Sequence, residues 1–521
     1  MYEKTDATSF ALDTQPLVRG FDFSADSLAA LVCLTQLAFW TVAPSLVSKV
    51  PPMDALEGFM WGRQTVLLTY KHPQLPAWLM EIAYKLTGSY IWGGFLLSQL
   101  LICATFEFVY VLGRDLIGRR AALAGVLLLP TTGFYNWGAR QVNHDIVQLP
   151  FWAAICWLLW RAERENKLGW WLALGVVAGA GLYAKFSTGL LIGFGGLWLL
   201  ISPKARRCLA TPRPWIALVV VLAFALPLMV GMCRMNFIQL TYASARDAWV
   251  MANRSHFYYI GVQVALLMVF LLALWSSGLL RRAKDEPANS SSVLLVDPHA
   301  RFFLLWMGLG PALSICLISL FTGIGEAWGK PMYSLIGLVA IALLGRRLTD
   351  QVLRRVMLWG FGMIVFTALA FAVWIPGGCY VLGHLRNECV PGPEIAAKLQ
   401  DDWHAKEHIP LGVVAGEEGL MMTVGVFASD KPSMFTEFNA LYAPWITEDR
   451  LRKQGMLIVW GGETPAPAEW SGWTQDRKIE HAQFAWATGR PPLMVSYVMI
   501  PPGSSNLPKL NTLVTAKSLT R

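Results

Sequence analysis

A succession of apolar runs, several of them about 20 residues long, constrains this chain more than any other feature of its sequence. Residues 28–48 contain no Asp, Glu, Lys or Arg, and as a helix such a run covers about 30 Å of hydrocarbon. Further apolar runs follow near 91–112, 121–136, 146–160, 168–183, 188–202, 215–232, 257–280, 302–321, 332–345 and 357–376. The pattern predicts an all-α multispanning membrane bundle of about 11 helices. No small-x-small cleavage site follows the first run, so it reads as an uncleaved span. Composition agrees: 15% of residues are charged, against about 25% in soluble domains. The 24 Trp and 14 Tyr cluster at the edges of the runs, where interfacial aromatic belts sit.

The net charge of +9 comes from small clusters between the runs, with no basic block. That distribution fits loops at a bilayer surface and gives no footprint for nucleic acid. One alternating set of loops holds Arg114, Arg119, Arg120, Arg161, Arg164, Lys204, Arg207, Arg281, Arg346, Arg354 and their neighbours, eighteen cations in all, and the other set holds ten. By the positive-inside bias the richer set is cytoplasmic. The N-terminus is then inside, and the loop at 49–90 faces outward. An odd number of spans also puts the tail outside, so the expected organisation is a membrane domain over 1–376 and a soluble domain over 377–521.

The tail changes character, with strand-like runs at Leu411–Ala415, Met456–Trp460 and Leu493–Ile500 and helical stretches at Glu394–His408 and Thr447–Gln454. A small α/β or mixed domain follows. Cys379 and Cys389 stand at its base, where an oxidising compartment permits a disulfide. The eight Cys show no CxxC or zinc-type spacing.

The polar residues of the outward loops are the candidates for chemistry. Asp54 and Glu57, at i and i+3 in PPMDALEG, put two carboxylates on one helix face, able to serve as a base or to hold a cation. A solvated interfacial acid pair is the ordinary alternative. Lys71 and His72, in YKHPQLPAW, offer donors for a phosphate on a proline-fixed turn, although Lys beside aromatics also snorkels. Arg140, Asn143, His144 and Asp145 crowd into GARQVNHD, more polar groups than a turn needs. Lys185 stands in the short loop LYAKFSTG. Tyr242 and Arg246 lie in QLTYASARDAW, and Glu326, Lys330 and Tyr333 in GEAWGKPMY. Together these loops hold acids and cations suited to an anionic substrate, if the helices bring them to one mouth.

An acidic motif after the first span, a Lys-His-Pro-Gln-Leu-x-x-Trp stretch at Lys71–Trp78, and an outward C-terminal domain make the chain similar to the GT-C fold glycosyltransferases. More narrowly it resembles the family 39-like group of lipid A aminoarabinose transferases, rhizobial galacturonic acid transferases and protein O-mannosyltransferases. The resemblance covers about residues 28–345. It implies transfer of one sugar from a polyprenyl-monophosphate donor to a hydroxyl of lipid A, lipopolysaccharide core, polysaccharide, lipid or protein, on the periplasmic side of a bacterial inner membrane. It implies Asp54 as general base, with Asp145 as a second catalytic acid. It implies His72, with Lys71 beside it, Lys185 and Arg246 around the donor phosphate; the polar clusters themselves add Arg140 there, and Glu57, Asn143, His144, Tyr242, Glu326 and Tyr333 around the substrates. Ala55 follows Asp54 where many members carry a second acid, and His72 stands where many carry Lys. No cofactor is assigned, and no ligand set for a divalent metal is visible. A transporter would place its charges near the bilayer midplane and often repeats its fold inverted; it is the alternative class, beside a non-catalytic envelope subunit of the same fold.

Overall fold

A computed structural model describes residues 24–280, 296–344, 348–504 and 507–510. Among the described residues, six helices are long and apolar enough to cross a membrane: α1 (Ala25–Val47), α4 (Tyr90–Ile117), α9 (Pro212–Arg234), α11 (Tyr258–Ser277), α12 (Pro298–Ile318) and α14 (Asp350–Pro376), the last running on to Val381 in a π-turn. Their outer faces carry large exposed side chains such as Leu218, Val219, Leu222 and Leu226 of α9, a surface suited to lipid and costly in water. Between them come α2 (Met53–Gly62), α3 (Leu75–Thr87), α5 (Arg119–Leu128), α6 (His144–Glu165), α7 (Leu168–Ala184), α8 (Thr188–Ile201), α10 (Ile238–Asn253) and α13 (Ile336–Leu344). α1 packs between α4 and α14, α4 packs on α6, α6 on α7, and α7 on α9.

The expected eleven spans are not eleven long helices. The runs at 121–136 and 332–345 contain α5 and α13, of 10 and 9 residues. At 1.5 Å per residue these reach about 15 Å, half a hydrocarbon layer. They do not face lipid: α5 is buried from Ala121 to Leu128 and packs on α13 inside the bundle. The non-helical backbone after α5 is buried too, and at such depth irregular backbone survives only when protein groups satisfy it. Gln36 Nε2 donates to Tyr135 O at 3.1 Å, and Ser98 Oγ and Gln99 Nε2 donate to Ala139 O at 2.6 and 3.1 Å. The run at 188–202 forms α8 and then bends by 86° into the segment Pro203–Ala210.

The tail folds into one five-stranded mixed sheet, in the order β2-β1-β3-β5-β4. The strands are β1 (Val413–Gly416), β2 (Ser433–Met434), β3 (Met456–Gly461), β4 (Glu480–Phe484) and β5 (Leu493–Ile500). β1 pairs in parallel with β2 and β3, with Val414 opposite Leu457; β3 and β5 are antiparallel, with Ile458 opposite Val498. β3 is buried from Met456 to Trp460 and reads as a continuous apolar run for that reason. The sheet is flanked by α15 (Gly392–Glu407) and α16 (Glu418–Phe427). The expected strands and the helices near 394–408 and 447–454 are present. β2, β4 and α16 are additions. Cys379 and Cys389 form a disulfide across a separation of 10 residues.

One apolar cluster joins the two parts: Phe59, Met60 and Trp61 of α2 share a core with Ile395, Leu399, Met421 and Met422 of the tail. Arg63, just past α2, donates to the carbonyls of Gly425 and Val426 at the end of α16, at 2.7 and 3.3 Å, and to Tyr90 Oη at 2.7 Å. A guanidinium there satisfies carbonyls that a helix C-terminus leaves without partners.

Candidate functional site

Asp54 stands exposed in the first turn of α2. Its Oδ2 accepts from Gln141 Nε2 and Asn143 Nδ2, each at 2.8 Å. Asn143 is also the N-cap of α6, accepting from the Ile146 N–H at 3.1 Å, so one side chain starts the helix and orients the carboxylate. Both donors are neutral amides on one oxygen, and Oδ1 has no hydrogen-bond partner among the described residues.

Glu57, one turn on, pairs with Lys71 at 2.7 Å. The Lys71 ammonium is also 4.0 Å from Glu418 of α16 and lies 5.2–5.8 Å from the ring centres of Trp61, Tyr70 and Tyr242. Tyr70 stacks on Tyr442 of the tail at 4.1 Å. Burial opposes the Lys71 charge, but Glu57, the two tyrosines and Glu418 outweigh it and hold its pKa well above the ordinary value. Burial pushes the Glu57 carboxyl up to about 7, with Lys71 pulling the other way.

The turn that presents Lys71 and His72 is tied by Thr69, whose N–H reaches His72 O at 2.9 Å and whose hydroxyl accepts from the His72 N–H at 3.1 Å. Gln239 of α10 fastens it by donating to Thr69 O at 2.7 Å. The His72 ring lies 4.1 Å from that of His144. His144 Nε2 is 3.2 Å from Pro73 O, and because a carbonyl only accepts, that nitrogen carries the proton. Burial, with His144, Lys185, Lys71 and Arg246 nearby, holds the His72 imidazole well below its usual value, so it is neutral.

Asp145, in the first turn of α6, is buried; its Oδ1 meets Lys185 Nζ at 2.6 Å and Gln148 Nε2 at 3.2 Å. Lys185 lies between α7 and α8, with Trp328 5.5 Å from its ammonium. Lys330 donates to Gly138 O at 3.3 Å. Burial pulls its pKa down while Asp145 and Asp54 act the other way. Arg246 of α10 lies exposed against Gly325, where an added Cβ would come within 3.3 Å of its Nη2. Neither Lys330 nor Arg246 has a carboxylate within 4 Å among the described residues. Arg140 sits 3.9 Å from Glu388 and donates to Trp137 O.

The structure thus gathers Asp54, Glu57, Lys71, His72, Arg140, Asn143, His144, Asp145, Lys185, Tyr242 and Arg246 at one end of the bundle. Tyr333 is elsewhere: it stacks on Phe134 at 5.1 Å, within the main core cluster. The Glu326 side chain lies outside the described residues. Gln141, Lys330, Glu418 and Tyr442 complete the site without having been assigned to it. Gln141 and Lys330 stand inside polar clusters already noted, whereas nothing local distinguishes Glu418 or Tyr442. Among the described residues, no three His, Cys, Asp or Glu side chains group as metal ligands.

With this geometry in view, the similarities to known proteins fall into place. The fold is GT-C, and the chain is a multi-pass membrane protein of that type. Residues 71–230 match the family described as dolichyl-phosphate-mannose-protein mannosyltransferase. Its structure is similar to that of ArnT from Cupriavidus metallidurans bound to undecaprenyl phosphate, with a TM-score of 0.61 and 14% identity over 93% of this chain and 99% of that one. The apo state of the same ArnT gives 0.60 and 14% over 90% and 97%. No curated protein matches the sequence significantly.

Proposed function

We propose that this protein is a membrane glycosyltransferase that moves one sugar from a polyprenyl-monophosphate donor to an acceptor hydroxyl at the periplasmic face of a bacterial inner membrane. The single observation that carries it is a carboxylate oxygen on exposed Asp54, free of hydrogen-bond partners among the described residues, at the end of the bundle where Lys71, Lys185, Arg246 and Lys330 also gather. The family match over 71–230 and the fold shared with an ArnT bound to undecaprenyl phosphate support the lipid-linked donor.

In this mechanism Asp54 takes the proton of the acceptor hydroxyl as its oxygen bonds to the anomeric carbon. The bond from that carbon to the donor phosphate oxygen breaks, and the polyprenyl phosphate leaves as a monoester. Its added charge needs preorganised cations rather than an acid. Arg246 and Lys330, without a carboxylate within 4 Å among the described residues, meet it first. Lys185 and Lys71 add charge while remaining held by Asp145 and Glu57. Neutral His72 donates one hydrogen bond. Gln141 and Asn143 fix the carboxylate, and Asp145 positions Lys185.

The test is sugar transfer by the purified protein from polyprenyl-phosphate sugars to envelope extract. Asp54→Asn lowers the rate by about 10²–10⁴-fold, the range for a lost general base, with donor affinity intact. Undiminished transfer by this variant removes Asp54 from the role.

A further inference from the structure

α6 links the site to the opposite end of the bundle: His144 and Asp145 occupy its first turn, Glu163 and Arg164 its last. There the ends of α4 and α6, the bent segment after α8 and the first turn of α12 line an open cavity of about 440 Å³, on whose walls are Asp115, Trp160, Arg164, Lys204, Arg207 and His299. Nothing in the reaction above uses it.

Two of its carboxylates are already engaged. Asp115 pairs with Arg161 at 3.3 Å and accepts from Trp157 Nε1 at 3.3 Å. Glu163, buried on the cavity floor, has His299 Nε2 at 2.6 Å on one oxygen and Trp198 Nε1 at 2.7 Å on the other. Asp297, exposed at the rim, is the third. The cations are not engaged in the same way. Arg164 lies over the Trp160 ring at 5.6 Å. Among the described residues neither it nor Lys204 or Arg207 has a carboxylate within 4 Å.

The position of these cations selects the anion. The 86° bend after α8 lays Pro203–Ala210 across the helix ends, the level at which a bilayer around apolar spans places its headgroups. Directly beside it Leu200, Ile201 and Trp215 are exposed, at 55%, 37% and 53%. A surface that is cationic above and apolar below fits one molecule carrying both a phosphate and acyl chains, and a soluble anion would leave the apolar half unused.

We propose that this cavity binds the phosphate of an anionic membrane lipid, on the face of the bundle opposite Asp54. Arg164, Lys204 and Arg207 hold the phosphate, and Leu200, Ile201 and Trp215 border the acyl chains. The Glu163–His299 pair, with Trp198 on the second Glu163 oxygen, keeps the floor polar.

The test is native mass spectrometry of the full-length protein, delipidated and titrated with phosphatidylglycerol or phosphatidylcholine. Phosphatidylglycerol is retained in preference. The triple variant Arg164→Gln, Lys204→Gln, Arg207→Gln loses about 10²-fold in its retention, from three removed surface cations, while Arg213→Gln, outside the cavity, does not. Melting temperatures with and without lipid keep the outcome clear of misfolding: the variant melts cooperatively but loses the lipid-dependent rise. Equal retention in wild type and triple variant, or equal binding of both lipids, overturns the proposal. Millimolar inorganic phosphate displacing the lipid, or raising the melting temperature as much, assigns a soluble anion and overturns it as well.

Discussion

Asp54 keeps Oδ1 clear of the two amides that hold its Oδ2, whereas Asp145 commits Oδ1 to Lys185 at 2.6 Å. In the proposed mechanism the first takes a proton; the second holds an ammonium still. Their side chains differ accordingly in exposure, with Asp145 only 10% exposed and Lys185 8%. Removing one partner of such a buried pair strands the other charge, at a cost of about 3–5 kcal/mol. Asp145→Asn therefore lowers the melting temperature as well as the rate. Adding Lys185→Gln recovers much of the stability and none of the activity, which thermal melts and transfer assays on the three proteins check. Glu57 gives a pH signature. Burial raises its pKa from 4.5 to about 7, so between those values the unfolded chain ionises first and gains on the native state. Its contribution to stability is full below about 4.5 and is lost as pH rises through 7. Glu57→Gln flattens the stability profile over that interval, and melts at pH 5 and pH 8 measure it.

Helices too short to span the bilayer are tolerated here because their neighbours come very close. A Cβ built on Gly337 of α13 would lie 1.9 Å from Gly125 O of α5. Small residues at such crossings let backbones approach, which matters more in a bilayer, where lipid tails are as apolar as leucine. Gly337→Ala pushes α5 from α13 and costs about 1–3 kcal/mol in overpacking, read as a lower melting temperature and a smaller monodisperse yield. Hydropathy could not separate these half-length helices from true spans, since a run buried in protein is as apolar as one buried in lipid. The length of α1, by contrast, was legible from an uncharged run bounded by polar residues. At this scale the sequence also placed three of the five strands, because buried β1, β3 and β5 form continuous apolar runs. β4 alternates in burial, and β2 has only two residues.

Across the whole molecule the membrane helices and the C-terminal sheet act as one body around the site. α16 rests on α2, the helix that carries Asp54, and Arg63 ties them through Gly425 and Val426. Glu418 and Tyr442 reach Lys71 and Tyr70 across the same seam. Arg63→Ala removes three charge-assisted hydrogen bonds and leaves the end of α16 uncapped, a loss of about 2–4 kcal/mol if most of one or two such bonds is felt. The variant releases a fragment containing residues 392–504 faster under limited proteolysis and transfers sugar more slowly, although Arg63 touches neither Asp54 nor the cations around it. Cleavage at the wild-type rate would show the sheet docks without it.

The sequence alone determined that the chain is a helical membrane bundle with a mixed C-terminal domain, because apolar run length and charge density are local quantities that a lipid solvent imposes directly. It also picked out Asp54, Lys71, His72, Asp145, Lys185 and Arg246, since polar residues against apolar spans are costly unless hydrated, paired or used. Only the tertiary structure decided which acid is free and which is paired, that Tyr333 packs in the core, and that Glu418 and Tyr442 stand beside Lys71 and Tyr70. Those outcomes depend on contacts between segments up to some 370 residues apart. No local pattern encodes them, because the energy of a buried charge is set by whichever group the fold brings beside it.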